Sequence, residues 1–171
     1  MTRQILALTL GLLASGCRDH PTDEALLVTF TRHRADLEKL VGMFQADRGL
    51  GRVGSGFTRP EDPGRVSVSP ERITEYRRLC ATVGASDCIE GYDAEYYALY
   101  GEKRPGLAKD PIWIHVSSLG LSVSGSSKGY YYSRSPQINV VNSLESLTLT
   151  RSNTWLRHID GPWYLYFDYE D

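Results

Sequence analysis

The sequence predicts an α+β fold, with two N-terminal helices packed on one face of a four- or five-stranded antiparallel sheet. Three observations carry this. In the first half of the chain apolar residues recur at steps of three and four, the helical period. From Tyr92 onward the period shifts toward two, as in strands. The closing stretch "TWLRHIDGPWYLYFDYED" reads as a hairpin around Asp160-Gly161, a pair suited to a tight turn at positive φ. Helices first and strands later indicates segregated layers, not alternating βα units.

The first helix starts at a cap, Thr22 or Asp23. Its seam is Leu26, Phe30, His33, Leu37, Leu40 and Phe44, reinforced by Leu27 and Val41. Ending near Asp47, it is roughly 37 Å long at 1.5 Å per residue. A Gly- and Pro-rich connection follows, "DRGLGRVGSGFTRPEDPGRVSVS", with room for a small hairpin or none. "SPERITEYRRLCATVG" is the second helix: Ser69 caps it, Pro70 sits in the first turn and Gly84 ends it. Ile73, Tyr76, Cys80 and Val83 share its inner face.

"EYYALY" suits either a short helix or a strand, and its aromatic content favours the strand. "PIWIHVSS" alternates Ile112, Ile114 and Val116 against Trp113, His115 and Ser117. "LGLSVSGSSKGYYYSR" reads as a hairpin with residues Gly125 to Gly129 as its loop. "NSLESLTL" is a linker or a single helical turn. In the last strand Trp163, Leu165, Phe167 and Tyr169 line one face. No internal repeat is present.

Ahead of the first helix, Arg3, the apolar run Ile5 to Leu13 and the small residues Ala14, Ser15 and Gly16 have the layout of a secretory signal. The run falls short of the about 20 residues that span a bilayer. Leu13 and Ala14-Ser15-Gly16-Cys17 make this segment resemble a bacterial lipoprotein precursor, whose lipobox ends at an acylated cysteine. The resemblance implies cleavage before Cys17, a diacylglyceryl thioether on its sulfur and an acylated amino end. Two or more acyl chains hold a protein stably on a membrane. Arg18, where an aspartate would signal retention in the inner membrane, favours the inner leaflet of the outer membrane. On this reading residues 1–16 are the signal peptide, 17–22 an acylated tether, and 23–171 one α+β domain in the cell envelope, facing the periplasm.

Export also bears on the other two cysteines. Cys80 and Cys88 flank a short polar loop, and disulfides persist in oxidising compartments. Closing so small a ring stabilises by roughly 2 to 3 kcal/mol. The spacing is not C-x-x-C, and no nearby cysteine or histidine pair completes a zinc shell. A structural staple is expected, with no metal and no cofactor.

A formal charge of -2 with both signs mixed gives no basic patch for a nucleic acid. No segment beyond Cys17 is apolar enough to span a bilayer. Tyrosine outnumbers phenylalanine 11 to 4, so most aromatic positions carry a polar tip.

Candidate chemistry is sparse. Gly49-Leu50-Gly51-Arg52-Val53-Gly54 spells G-x-G-x-x-G, yet it follows a helix where a dinucleotide site needs a preceding strand and a following helix. Of the histidines, His20 sits in the tether, too mobile to be positioned. His33 lies on the helix seam and reads as a partly buried packing residue. His115 and His158 lie on strands and are candidates to meet across the sheet. No H-E-x-x-H, G-x-S-x-G or metal-spaced carboxylate cluster occurs, and the residue three before Lys128 is Gly125, which breaks S-x-x-K.

What remains is a candidate binding surface: Ser126, Ser127 and Lys128 in the expected loop, then Tyr130, Tyr131 and Tyr132. Aromatic faces beside a cation and hydroxyls suit a glycan, a peptide or a protein. Strand tyrosines alternating in and out explain the same residues without a function. Tyr164, Tyr166 and Asp168 form a second such face. "GLSVSGSSKGYYYS" with "RHIDGPWYLYFDYE" also resembles small uncharacterised bacterial proteins that share an S-S-K-G-Y stretch and a W-Y-L-Y strand. That resemblance spans about the C-terminal third and implies only the sheet.

Two functions follow. The first is a non-enzymatic envelope lipoprotein, bound to lipid through Cys17 and holding a protein or peptidoglycan partner, as an accessory, inhibitor or immunity factor. The second is a small envelope hydrolase using His115 or His158. The discriminator is geometric: a catalytic histidine lies in a cleft, within hydrogen-bond reach of its nucleophile or an orienting acid.

Overall fold

The structure, a computed structural model, describes residues 19–107, 109–121, 124–148 and 151–171. Cys17 and the lipobox lie outside the described residues. Helix α1 spans Asp23–Ala46, and the Thr22 side chain accepts from Ala25 N–H as its cap. Leu26, Phe30, Leu37, Leu40, Val41, Met43 and Phe44 are buried along it. His33 interrupts the seam. It is half-buried, bonds Asp36 at 3.3 Å, and departs from helical geometry at φ -118°, ψ 24°, where the helix kinks.

Next come β1 (Arg52–Val53), β2 (Thr58–Arg59), a 3₁₀ turn (Pro63–Val66), α2 (Pro70–Thr82) and β3 (Ile89–Glu90). Ser69 caps α2, with Pro70 at its start, and Gly84 stands just beyond it at φ +72°. The chain continues with α3 (Ala94–Leu99), β4 (Ile112–Leu121), β5 (Ser124–Tyr132), β6 (Asn153–Asp160) and β7 (Trp163–Glu170). The class is α+β, with an antiparallel sheet ordered β2-β1-β3-β4-β5-β7-β6. Among the described residues seven strands replace the four or five expected. The additional ones, β1 to β3, are two residues each, too short to carry a periodic signal.

Two local expectations are corrected. "EYYALY" is helical, not extended. Asp93 caps α3 by accepting from Tyr96 N–H, and the helical step stacks Tyr96 on Tyr100 with centroids 5.0 Å apart. Residues 125–129 are mid-strand, not a loop: β4 and β5 pair as far as Leu121 opposite Ser124. The glycines there answer to close backbone approach. A Cβ at Gly129 would lie 2.1 Å from the Ile114 carbonyl oxygen, and one at Gly125 2.6 Å from that of Leu119.

The main core joins the buried residues of α1 and α2 to Val53, Ile89, Ile112, Ile114, Tyr130, Tyr132, Trp163 and Leu165 of the sheet. Tyr130 donates to the Leu26 carbonyl, and Phe30 packs edge-on against Trp163 at 5.5 Å. Cys80 and Cys88 form a disulfide, with Cα atoms 5.2 Å apart, tying the last turns of α2 to the entry of β3. Lys109, 5% exposed, closes the other end of α1: its ammonium donates to the carbonyls of Phe44, Asp47 and Leu50 at 2.6 to 2.9 Å. These include carbonyls that a helix C-terminus leaves without partners. Burial lowers the Lys109 pKa to about 8, against the opposing pull of Asp93.

Candidate functional site

Strand periodicity divides the side chains of the sheet. Those facing α1 include Lys128, Tyr130 and Tyr132, so the expected binding surface is split. Lys128 is 3% exposed and its Nζ lies 2.8 Å from Asp23 Oδ1. Arg157 and the Leu144 N–H complete the surroundings of Asp23. Burial alone would raise the Asp23 pKa, but Lys128, Leu144 and Arg157 together hold it below the ordinary carboxylate value. Tyr130 and Tyr132 are buried against the main core. Lys128 was read as a loop residue because its partner sits 105 positions away in sequence, at the start of α1.

His20 is also positioned, contrary to expectation. Its ring nitrogens bond the hydroxyls of Ser117 (3.0 Å) and Ser126 (2.7 Å), and its edge meets Phe167 at 5.4 Å. Burial, and then Lys128, lower its pKa. Ser126 therefore serves this clamp.

The opposite face is built from cross-strand rows. One runs Arg52, Glu90, Trp113, Tyr131, Tyr164 and His158. The next runs His115, Gly129, Tyr166 and Leu156, and a third Ser118, Ser127, Asp168 and Thr154. Tyr131, Leu156 and Tyr166 form a second apolar cluster here, separate from the main core, with Trp113 and Tyr164 packed on it. Two adjoining cavities open on this face, of about 410 and 350 Å³. Arg52, His115, Ser127, Asp168 and Glu170 line both.

Beside them the Tyr166 hydroxyl and His115 Nδ1 are hydrogen-bonded at 2.7 Å. Burial raises the Tyr166 pKa, Ser127 offsetting part of the shift, so the phenol keeps its proton and has it to give to Nδ1. With Nδ1 accepting, the neutral imidazole carries its hydrogen on Nε2. That atom lies 3.3 Å from Glu90 Oε2, off the line of a good hydrogen bond. Arg52 pairs with Glu90 at 2.9 Å and also with Asp87, and Tyr92 donates to Glu90. Burial raises the Glu90 pKa, but His115, Tyr92 and Arg52 bring it below the ordinary value.

His115 thus passes the first half of the geometric test, since it stands in a cleft beside a largely buried acid. The second half goes the other way. Both ring nitrogens face groups of the protein, and the phenol on Nδ1 is fully buried. His158 and His115 share the face but do not bond each other; His158 bonds the Gly161 carbonyl in the hairpin turn. Arg52, Asp87 and Glu90 were missed in the sequence, because they sit on or beside two-residue strands where no motif marks them. Among the described residues no group of three or more His, Cys, Asp or Glu side chains is placed to hold a metal ion, and no helix is long and apolar enough to cross a membrane. Gly49, the first glycine of the G-x-G-x-x-G string, directs its N–H to the Asp93 carboxylate.

Compared with protein-family models, with curated proteins and with solved structures, the chain matches none.

Proposed function

We propose that this protein is a non-enzymatic lipoprotein of the cell envelope, held to the membrane through acylated Cys17, whose sheet face opposite α1 and α2 holds a partner protein. The carrying observation is the state of His115. Its Nδ1 is hydrogen-bonded to the buried Tyr166 phenol and its buried Nε2 faces Glu90, so this cleft histidine braces the face and turns both ring nitrogens to groups of the protein. With α1 and α2 packed on one side, the other side of the central strands presents a mixed aromatic and polar surface, the composition common at recognition sites.

Mild-detergent isolation of the lipidated protein from its own envelope tests this. A stoichiometric protein partner that is lost on Tyr164→Glu, with membrane attachment kept, supports the reading. Muropeptides alone would redirect it to the cell wall. A second reading, a hydrolase, draws on the Ser127–Tyr166–His115–Glu90 neighbourhood. Turnover of an ester or amide substrate that disappears in His115→Gln would establish that reading and overturn the first.

A further inference from the structure

The groove is not evenly charged. Arg52 is occupied by Asp87 and Glu90. Among the described residues the Asp168 side chain accepts only from Thr154 Oγ1, at 2.5 Å. Among the described residues neither Asp168 nor Glu170 has an ion-pair partner, although both line the cavities. At the other end of β7 the same face turns aromatic, with Tyr164 beside Tyr131 and Trp113. Its β6 edge carries exposed aliphatic side chains. Val140, bridged to Leu156, is 47% exposed and Ile138 82%. Residues two apart on a strand share a face about 7 Å apart, so Asp168 stands about 14 Å from Tyr164.

Resting on the partner-binding reading above, we propose that this face docks a segment of the partner protein that combines a lysine or arginine with an apolar residue about four positions away in extended chain. The basic side chain lies between Asp168 and Glu170, whose charges it complements. The apolar residue lies on the Trp113–Tyr164 surface. Carboxylates without a cation and a half-buried aromatic floor are matched by one such segment. An acidic segment would meet repulsion at the first and gain only the second.

The test uses the full chain, isotope-labelled, titrated with synthetic peptides of equal length: one with a lysine and a leucine four positions apart in an otherwise serine sequence, one with glutamate in place of that lysine. The lysine–leucine peptide is expected to bind, shifting the amide signals of Thr154, Tyr166, Asp168 and Glu170. The combined Asp168→Asn and Glu170→Gln variant is expected to weaken that binding about fivefold, the order of two surface ion pairs. Equal binding of the glutamate peptide, or no weakening in the variant, overturns the proposal. Capture from the envelope separates this failure from failure of the wider reading. If the carboxamide variant keeps the native partner while Tyr164→Glu loses it, the face stands and the basic chemistry falls. If both variants keep it, the face itself is wrong.

Discussion

Tyr166 on β7 reaches His115 on β4 across the intervening strand, over Gly129, the residue paired with both. A side chain at that position would obstruct the bridge, and its Cβ would already clash with the Ile114 carbonyl oxygen. The missing side chain, the buried phenol and the oriented imidazole therefore form one device. Gly129→Ala is expected to destabilise the fold by about 1 to 3 kcal/mol, the range for forced overpacking. Tyr166→Phe should cost about 1 kcal/mol, one hydrogen bond, and free Nδ1. Urea unfolding checks both values, and ¹⁵N shifts of the His115 ring report the change at Nδ1.

Lys128 and Asp23, 105 positions apart in sequence, pin α1 to β5. Lys128→Met removes one partner of a buried pair and is expected to cost about 3 to 5 kcal/mol. The acid response follows from the lowered Asp23 pKa. Its stabilising contribution is complete well above the ordinary value of 3.8 and is lost as pH falls through that value toward the folded one. Acid unfolding of Asp23→Asn, less stable from the outset, should show a shallower decline over the same window.

Lys109 gives a response of opposite sign. With a folded pKa of about 8 against an ordinary 10.5, the unfolded chain binds more protons between those values, so this group makes stability rise as pH rises through them. Lys109→Met should abolish that rise and expose the carbonyls at the end of α1. Thermal melts at pH 7.5, 9 and 10 compare the two proteins.

Reduction of Cys80–Cys88 opens a small ring, and Cys80→Ser with Cys88→Ser is expected to lower stability by about 2 to 3 kcal/mol. Because the bond ties α2 to the entry of β3, hydrogen exchange should rise first at Ile89 and Glu90.

Cys17→Ser should release the protein from membranes and remove the acyl mass. Intact mass and fractionation read both, and unchanged membrane association would contradict the lipid anchor.

Legibility in the sequence followed the range of the interactions. The α1 seam and the Ser69-Pro70 start of α2 are set by neighbours within a turn or two, and the sequence displays them. Asp160-Gly161 likewise marks its own turn, with Gly161 at φ +53°. "EYYALY" misled because tyrosine favours strands, whereas the Asp93 cap and helical stacking decide the outcome. "GSSKG" misled because small and charged residues resemble a loop. In fact Gly129 answers to a neighbouring strand, and Lys128 to an aspartate at the far end of the domain. The site was hidden for the same reason: Arg52, Glu90, His115, Tyr166 and Asp168 come from separate strands, and only the pairing order brings them together.

The face carrying Trp113 and Tyr164 is, on the proposed function, covered by a partner in the envelope. Covalent labelling of aromatic side chains, in intact envelopes and then on the purified protein, tests it most directly. Tyr100, 56% exposed on the side of α3, is the internal reference. The account predicts that Trp113 and Tyr164 are protected in the envelope and labelled after purification, while Tyr100 is labelled equally in both. Equal labelling of Trp113 and Tyr164 in both states, or protection of Tyr100 alone, would contradict it.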